Sequence, residues 1–225
     1  MNRLALFDCD GTLVDSAANI CQTMEAAFAN AALPAPDRHV IRRVVGLSLT
    51  EAMAMLLPGS DPQIHALLAE DYKRIFASQR TTGGLQDEPL FDGLAELIDT
   101  LEEGGWVLGV ATGKSDRGLG FVLDHHGIRH RFATLQTADR HPSKPHPSMI
   151  EAAMAEAGAK PATTAMIGDT AYDMAMAVNA GAHAVGVAWG YHDAAELRDA
   201  GAQHIAQDAA ALAHILESLR TLEAL

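Results

Sequence analysis

The sequence predicts an α/β fold, a doubly wound parallel sheet that carries an inserted helical segment. Short apolar runs, as found in buried parallel strands, alternate with helical stretches after about residue 85. Between the first apolar run and that point the pattern is helical throughout. The length of 225 residues exceeds that of a typical single domain and falls short of two. These observations together favour one core domain with an insertion.

The first predicted strand covers residues 4–7, a continuous apolar run, and helices follow it. Ser16 is a suitable N-cap for a helix over residues 17–32, which Pro34 and Pro36 end. Two more helices are expected over residues 50–57 and 61–78. A glycine-containing linker at 81–84 then leads back to the core. We therefore predict a helical cap domain over residues 15–84.

The rest of the chain alternates between the two element types. Helices are expected over residues 90–101, 117–125, 147–157 and 172–180, and strands over residues 106–111, 132–137, 165–167 and 184–188. Residues 1–14 and 85–225 then form one Rossmann-like core. Ligands of such open α/β sheets bind at the carboxyl ends of the strands, so the residues at those ends are the candidates for function.

Composition limits the possible partners. The chain has 16 basic and 29 acidic residues, a net charge of −13, and no basic run, which argues against nucleic acid and anionic membranes. No apolar run approaches the length of a membrane span, and the N-terminal apolar run is too short for a signal peptide. Cys9 and Cys21 have no metal-binding or redox spacing. We expect a cytoplasmic enzyme that acts on a small molecule.

Acidic residues follow two of the predicted strands. Asp8 and Asp10 follow the first strand, and Asp169 and Asp173 follow the strand at 165–167. Carboxylates that converge on one sheet edge repel one another unless a cation lies among them, and a set of oxygen ligands favours Mg²⁺. The other candidates at strand ends and in loops, which would hold phosphoryl oxygens, are the hydroxyl of Thr112, the backbone near Gly113 and the ammonium of Lys144.

These motifs resemble those of a known family. Asp8-x-Asp10-Gly-Thr-Leu-Val-Asp-Ser16, Thr112, Lys144-Pro and Gly168-Asp-Thr-x-x-Asp173 are similar, in order and spacing, to the four motifs of the haloacid dehalogenase superfamily. The resemblance covers essentially the whole chain and is strongest to the phosphoglycolate phosphatase-like group. One departure is visible, since that group often has Thr-Asn-Lys where this chain has Thr112-Gly113-Lys114.

The resemblance implies a Mg²⁺-dependent phosphatase that acts on a small phosphate ester. Asp8 would attack phosphorus, and Asp10 would act as acid and base and ligate the metal through its carbonyl. The resemblance implies that the metal is bound by Asp8, Asp10, Asp169 and Asp173. It implies that catalysis depends on Asp8, Asp10, Thr112 and Lys144. The residues implied to bind phosphate or substrate are Gly11, Thr12, Thr112, Gly113, Lys144 and Arg43.

Other interpretations stay open. Asp173 could instead stabilise the first turn of its helix, and Arg43 could lie on a solvated surface. A sugar phosphomutase of the same fold would use the same two aspartates, and an Asp-phosphorylated signalling domain is a more distant alternative. A dehalogenase would lack the carboxylate of Asp10. The chain could be a monomer or a homodimer.

Overall fold

Six parallel strands form the centre of the molecule. The structure is a computed structural model and describes residues 2–222, so residue 1 and residues 223–225 of the predicted core lie outside the described part. The strands occur in the spatial order β3-β2-β1-β4-β5-β6. They are β1 (Arg3–Phe7), β2 (Trp106–Thr112), β3 (Phe132–Thr137), β4 (Thr164–Gly168), β5 (His183–Val187) and β6 (His204–Ala206). The predicted doubly wound parallel sheet is confirmed.

Alternate residues of β1 enter two separate apolar clusters, because successive side chains of a strand point to opposite faces. Ala5 and Phe7 pack with one layer of helices, and Leu4 and Leu6 with the other. The first layer contains α5 (Leu94–Glu103), α6 (Asp116–His125) and α10 (Ala209–Leu222). The second contains α7 (Ser148–Ala157), α8 (Ala171–Ala180) and α9 (Ala194–Asp199). Both faces of β1 are therefore covered.

Four helices lie between β1 and α5 in the chain. They are α1 (Ala17–Asn30), α2 (Arg38–Arg42), α3 (Leu49–Leu56) and α4 (Pro62–Thr82). These helices share an apolar cluster, which includes Met24, Phe28, Ile41, Met53 and Leu68, all 2 % exposed or less. Burial of such side chains contributes about 25 cal/mol per Å² of apolar surface. The inserted segment thus has its own apolar cluster, distinct from those of the sheet.

Several elements differ from their predicted bounds. The helix predicted from residue 90 begins at Leu94, because Gly93 has left-handed backbone angles and Leu90 pairs with Val14 in a short β-bridge. The short elements α2, α9 and β6 and the longer α10 were not predicted. Of the described helices, none is long and apolar enough to cross a membrane.

The register of the sheet brings the candidate residues to one edge. Phe7, the last residue of β1, pairs with Val110 of β2 and with Ile167 of β4. Asp8, Thr112 and Asp169 follow these paired residues by one or two positions, so all three lie at the same edge of the sheet.

Candidate active site

Three carboxylates and one ammonium form the buried centre of the candidate site. Oxygens of Asp8, Asp169 and Asp173 all lie within 4.8 Å of one another. Lys144 Nζ donates to Asp8 Oδ1 at 2.8 Å and to Asp173 Oδ1 at 2.6 Å. The four side chains are buried. Asp173 is therefore part of this centre through Lys144, although it also lies in the first turn of α8.

The second oxygen of Asp8 has no partner. Asp8 Oδ2 is buried and forms no hydrogen bond in the described part of the chain. Burial raises the pKa of Asp8 to about 7, against the opposing effect of Lys144, and the charge of Asp173 acts in the same direction as burial. An unpaired buried carboxylate oxygen is costly, so its presence points to a group that this site binds.

Asp169 is held by two donors. Thr12 Oγ1 donates to Asp169 Oδ1 at 2.9 Å, and the backbone N–H of Tyr191 donates to Oδ2 at 2.8 Å. Gly11 permits this arrangement, since its backbone has φ +84° and a Cβ there would lie 2.3 Å from Asp169 Oδ2. Burial raises the pKa of Asp169, and Asp8 and Asp173 raise it further.

Asp10 has different surroundings from Asp8. Lys114 Nζ lies 2.8 Å from Asp10 Oδ1, and Ser16 Oγ donates to the same oxygen. Burial lowers the pKa of Lys114, but the charges of Asp10, Cys9 and Glu88 and the hydrogen bond to Asp10 together outweigh burial, so the pKa is raised. Lys114 is therefore an ammonium at neutral pH, and with Asp10 it forms an ion pair beside the acidic cluster.

The donor set fits a divalent hard cation. The cluster of three carboxylates and one ammonium would carry two uncompensated negative charges when it is fully ionised. Carboxylate oxygens without nitrogen or sulfur ligands suit Mg²⁺. Burial, together with repulsion from the neighbouring carboxylates, raises the pKa values of Asp8 and Asp169, and a bound cation would favour their ionised forms. Asp8 and Asp169 would hold the ion, and Asp173 lies close enough to contribute.

A cavity of about 560 Å³ reaches this site from the side of the inserted helices. From the core it is lined by Asp10, Gly113 and Lys114, among others, and from the insertion by residues of all four helices and the loop at 44–48. Thr112 lies buried at the end of β2, where its Oγ1 accepts a hydrogen bond from the N–H of Lys114 at 3.2 Å. Its O–H remains available to donate to a ligand.

Three residues predicted to contact phosphate or substrate have other partners. The N–H of Gly11 donates to the carbonyl of Val14 at 2.9 Å, and the hydroxyl of Thr12 serves Asp169. The guanidinium of Arg43 pairs through both terminal nitrogens with the carboxylate of Glu196 on α9. The structure does not bring Arg43 to the site, because a partner 153 positions away in sequence engages its charge.

Sequence reasoning missed three residues of the site: Ser16, Lys114 and Tyr191. Ser16 precedes α1 as predicted, but its side chain makes no capping hydrogen bond and instead contacts Asp10. Lys114 is named in the sequence prediction only within the Thr112-Gly113-Lys114 motif and is given no role there. Its place two residues after Thr112, at the same sheet edge as Asp10, was the signal that could have revealed it.

Comparison with known proteins decides the family. A family model described as haloacid dehalogenase-like hydrolase matches residues 5–187. The chain belongs to this family. It is 37 % identical over 211 residues to "Probable phosphatase IndB" of Dickeya dadantii, covering 91 % of this chain and 89 % of that one.

Two further relatives are similar over nearly their whole length. The phosphoglycolate phosphatase of Vibrio cholerae is 25 % identical over 218 residues, which are 95 % of this chain and 96 % of that protein. A crystal structure of a predicted phosphatase from Clostridium acetobutylicum has a TM-score of 0.86 and 26 % identity, with coverage of 96 % and 99 %. The family, its phosphoglycolate phosphatase-like group and phosphatase as the class of enzyme are confirmed.

Proposed function

We propose that the chain hydrolyses the phosphate monoester of a small metabolite through a phosphoryl group carried transiently by Asp8, with Mg²⁺ as cofactor. The observation that carries the proposal is Asp8 Oδ2, a buried carboxylate oxygen without a partner beside two further carboxylates. Lys144 fixes the other oxygen of Asp8, so the free one is oriented for attack.

Asp10 would move the protons of the reaction. Its carboxylate is fixed by Lys114 and Ser16 and lines the cavity from which a substrate would enter. The phosphate monoester would bind as its monoanion and pass its proton to Asp10. As Asp8 Oδ2 bonds to phosphorus and the ester P–O bond breaks, Asp10 gives this proton to the leaving oxygen. Asp10 then takes a proton from the water that attacks phosphorus, and the bond between phosphorus and Asp8 breaks.

The remaining groups stabilise the charge of the phosphoryl group. Lys144 and the hydroxyl of Thr112 lie at the same sheet edge as Asp8 and would contact the equatorial oxygens. Mg²⁺ bound by Asp8, Asp169 and the carbonyl of Asp10 would supply positive charge between the carboxylates and the phosphate. Asp173 would act mainly by orienting Lys144.

Residues 15–84 would act as a cap that selects the substrate. Asp8 is 0 % exposed, so a substrate needs a local opening of the structure to reach it, and we attribute this opening to the cap. Phosphoglycolate is the leading candidate substrate, on the strength of the similarity to the phosphoglycolate phosphatase of Vibrio cholerae.

Release of inorganic phosphate from a panel of phosphate monoesters, with Mg²⁺ or with a chelator, tests the proposal. We expect release that requires Mg²⁺ and is lost in Asp8→Asn, whereas Asp15→Asn, at an exposed residue of the same loop, retains it. Undiminished turnover by Asp8→Asn would refute the mechanism. Isomerised hexose phosphate without free phosphate would instead identify a phosphomutase.

A further inference from the structure

The cavity above Asp10 extends to a second cationic region. Arg80 of α4 and Arg117 of α6 both line it, together with Phe76 and the aromatic ring of Tyr72. A cavity of about 560 Å³ is of the size that holds a drug-sized ligand and has more room than a two-carbon phosphate ester needs. The region around Arg80 is therefore available to the part of a substrate remote from its ester phosphate.

Arg80 has no polar partner in the described chain, unlike the arginines that form ion pairs. Its Nε is buried without a hydrogen bond, and no nitrogen of its guanidinium forms an ion pair with any residue between 2 and 222. Six other arginines pair with carboxylates: Arg38, Arg43, Arg74, Arg129, Arg131 and Arg140. A partly buried guanidinium without an anion is costly, so a ligand that supplies one would be favoured.

Two aromatic rings hold the Arg80 side chain in position. Its guanidinium carbon lies 4.0 Å from the ring centroid of Phe121 on α6 and 5.2 Å from that of Phe76 on α4. Such stacking leaves the edge of the planar guanidinium, where its N–H groups are, free to donate. The orientation of Arg80 is thus set before a ligand arrives.

The charged residues near Arg80 do not balance its positive charge. Burial lowers its pKa, and the charge of Arg117 lowers it further, against a smaller opposite effect of Glu88. The carboxylate of Glu88 accepts a hydrogen bond from Asn19 instead. Arg117 forms no ion pair within the described chain and is exposed. Two guanidinium groups of this kind favour an anion between them.

The cationic region is connected to the catalytic carboxylate through the cavity wall. Lys114 Nζ, which contacts Asp10, lies 5.9 Å from the ring centroid of Phe76, and Arg80 stacks on the same ring. Asp10 and Arg80 therefore lie along one wall, with Phe76 between them.

We propose that the substrate carries a second anionic group, a carboxylate or a second phosphate, at the end remote from its ester phosphate, and that Arg80 binds this group with help from Arg117. The inference rests on the proposed phosphatase function and narrows it to phosphate esters with two anionic ends. Phe76 and Tyr72 contact the part of the substrate between these ends.

The test compares three series of alkyl phosphate esters of increasing chain length, which end in a carboxylate, a phosphate or a neutral carboxamide. For one chain length or more, we expect kcat/KM for an anionic end to exceed that for the carboxamide at least about tenfold. Arg80→Gln should reduce this preference by about ten- to hundredfold, mainly through KM, as expected for loss of a hydrogen bond between charged groups. Arg80→Lys should retain part of it.

Arg74→Gln is the matched control, because Arg74 lies on the same helix but pairs with Asp71 and does not line the cavity. The proposal is overturned if wild type shows no preference for either anionic end, or if Arg80→Gln keeps the wild-type preference while remaining folded by thermal unfolding. If no ester releases phosphate, or if Asp8→Asn still releases it, the phosphatase mechanism itself fails. If the carboxamide-ended esters release phosphate as efficiently as the anionic ones, only the role of Arg80 is refuted.

Discussion

Asp8 and Asp10 are two residues apart, yet the structure gives them different chemical environments. Asp8 is fully buried, contacts Lys144 through one oxygen and has its other oxygen free. Asp10 is 7 % exposed, lines the cavity and pairs with Lys114. These surroundings suit a nucleophile and a proton carrier respectively, the division of roles on which the proposed mechanism depends.

Replacement of Asp10 by asparagine removes the proposed proton carrier and leaves the nucleophile intact. We expect kcat for an alkyl phosphate, whose leaving oxygen needs a proton, to fall about 10²- to 10⁴-fold. With an aryl phosphate, whose leaving group needs none, formation of the phosphoryl-Asp8 species should suffer less, so an initial burst should precede slow turnover. Rapid-quench measurement of product checks this; equal losses for both esters in every phase would contradict the role of Asp10.

The site residues that belong to a sequence motif could be predicted from the sequence. The contacts that depend on how distant segments pack together could not. Asp8, Asp169, Asp173 and Lys144 do come together. The contact of Lys114 with Asp10 and the pairing of Arg43 with Glu196 join segments far apart in the chain, and no local pattern specifies such pairs.

The loop between α2 and α3 explains the glycine that departs from the related Thr-Asn-Lys pattern. A Cβ at Gly113 would lie 2.5 Å from the carbonyl oxygen of Leu47 and 2.7 Å from that of Gly46. Ser48 adds a hydrogen bond from its N–H to Ser143 Oγ at 2.9 Å. The backbone of this loop thus packs directly on Gly113, where any side chain would occupy the same space.

Gly113→Asn, which restores the related motif, should therefore displace the loop at residues 46–48. We expect a loss of stability of about 1–3 kcal/mol from overpacking and a lower kcat/KM, because the cavity wall moves. Thermal unfolding should show Tm lower by roughly 2–4 °C per kcal/mol. Gly84→Ala, where the added Cβ meets nothing closer than 3.6 Å, is the control. Unchanged Tm and kcat/KM in Gly113→Asn would contradict this account of the motif.

The pair between Arg43 and Glu196 connects the end of α2 to α9. The hydrogen bonds from Arg43 lower the pKa of Glu196 from 4.5 to about 2. The unfolded chain therefore binds more protons than the folded one between these pH values, so the contribution of the pair to stability is present above pH 4.5 and is lost as pH falls toward 2. Both side chains are about one-third exposed, which limits this contribution to about 1 kcal/mol.

Glu196→Gln should accordingly lower Tm at neutral pH by a few degrees, and the difference from wild type should narrow as pH falls from 4.5 toward 2. Thermal unfolding across this range measures the difference. Glu103→Gln, at an exposed residue of α5, should show no such trend. A constant difference between Glu196→Gln and wild type at every pH would rule out the charged pair as its cause.

The strands with strong apolar patterns could be predicted from the sequence, whereas the short elements and the C-terminal helix were not predicted. The strands β1 to β5 were predicted from their apolar runs. Helix α2 has five residues, α9 six and β6 three, too few to establish a period, and their structure depends on contacts with the rest of the fold. Helix α10 was not predicted either, although Leu212, Leu216 and Leu219 have helical spacing and are buried.

At the scale of the whole molecule, a net charge of −13 and a buried acidic cluster both favour bound cations. Mg²⁺ that binds the folded chain alone should stabilise it by about 2.7 kcal/mol at a concentration one hundred times its Kd. We expect Tm to rise with Mg²⁺ in wild type and in Asp199→Asn, an exposed control, but not in Asp169→Asn. An equal Mg²⁺ response in Asp169→Asn would place the ion elsewhere.

The distribution of charged residues over the molecule explains how an acidic protein can accept an anionic substrate. Arg80 and Arg117 line the cavity without a carboxylate partner in the described chain, and Lys114 lines it beside Asp10, so cationic groups face the space that a substrate would occupy. The lower effective dielectric constant inside a protein cavity strengthens the attraction of these cations for an anion, whereas the acidic outer surface repels polyanions.

Peptide mapping of the enzyme, acid-quenched during turnover of an aryl phosphate with Mg²⁺, tests the central claim most directly. Our account predicts one phosphoryl group on the peptide that contains Asp8, labile to hydroxylamine as an acyl phosphate should be, enriched in Asp10→Asn and absent from Asp8→Asn. A phosphoryl group on another residue, or an adduct that persists in Asp8→Asn, would contradict it.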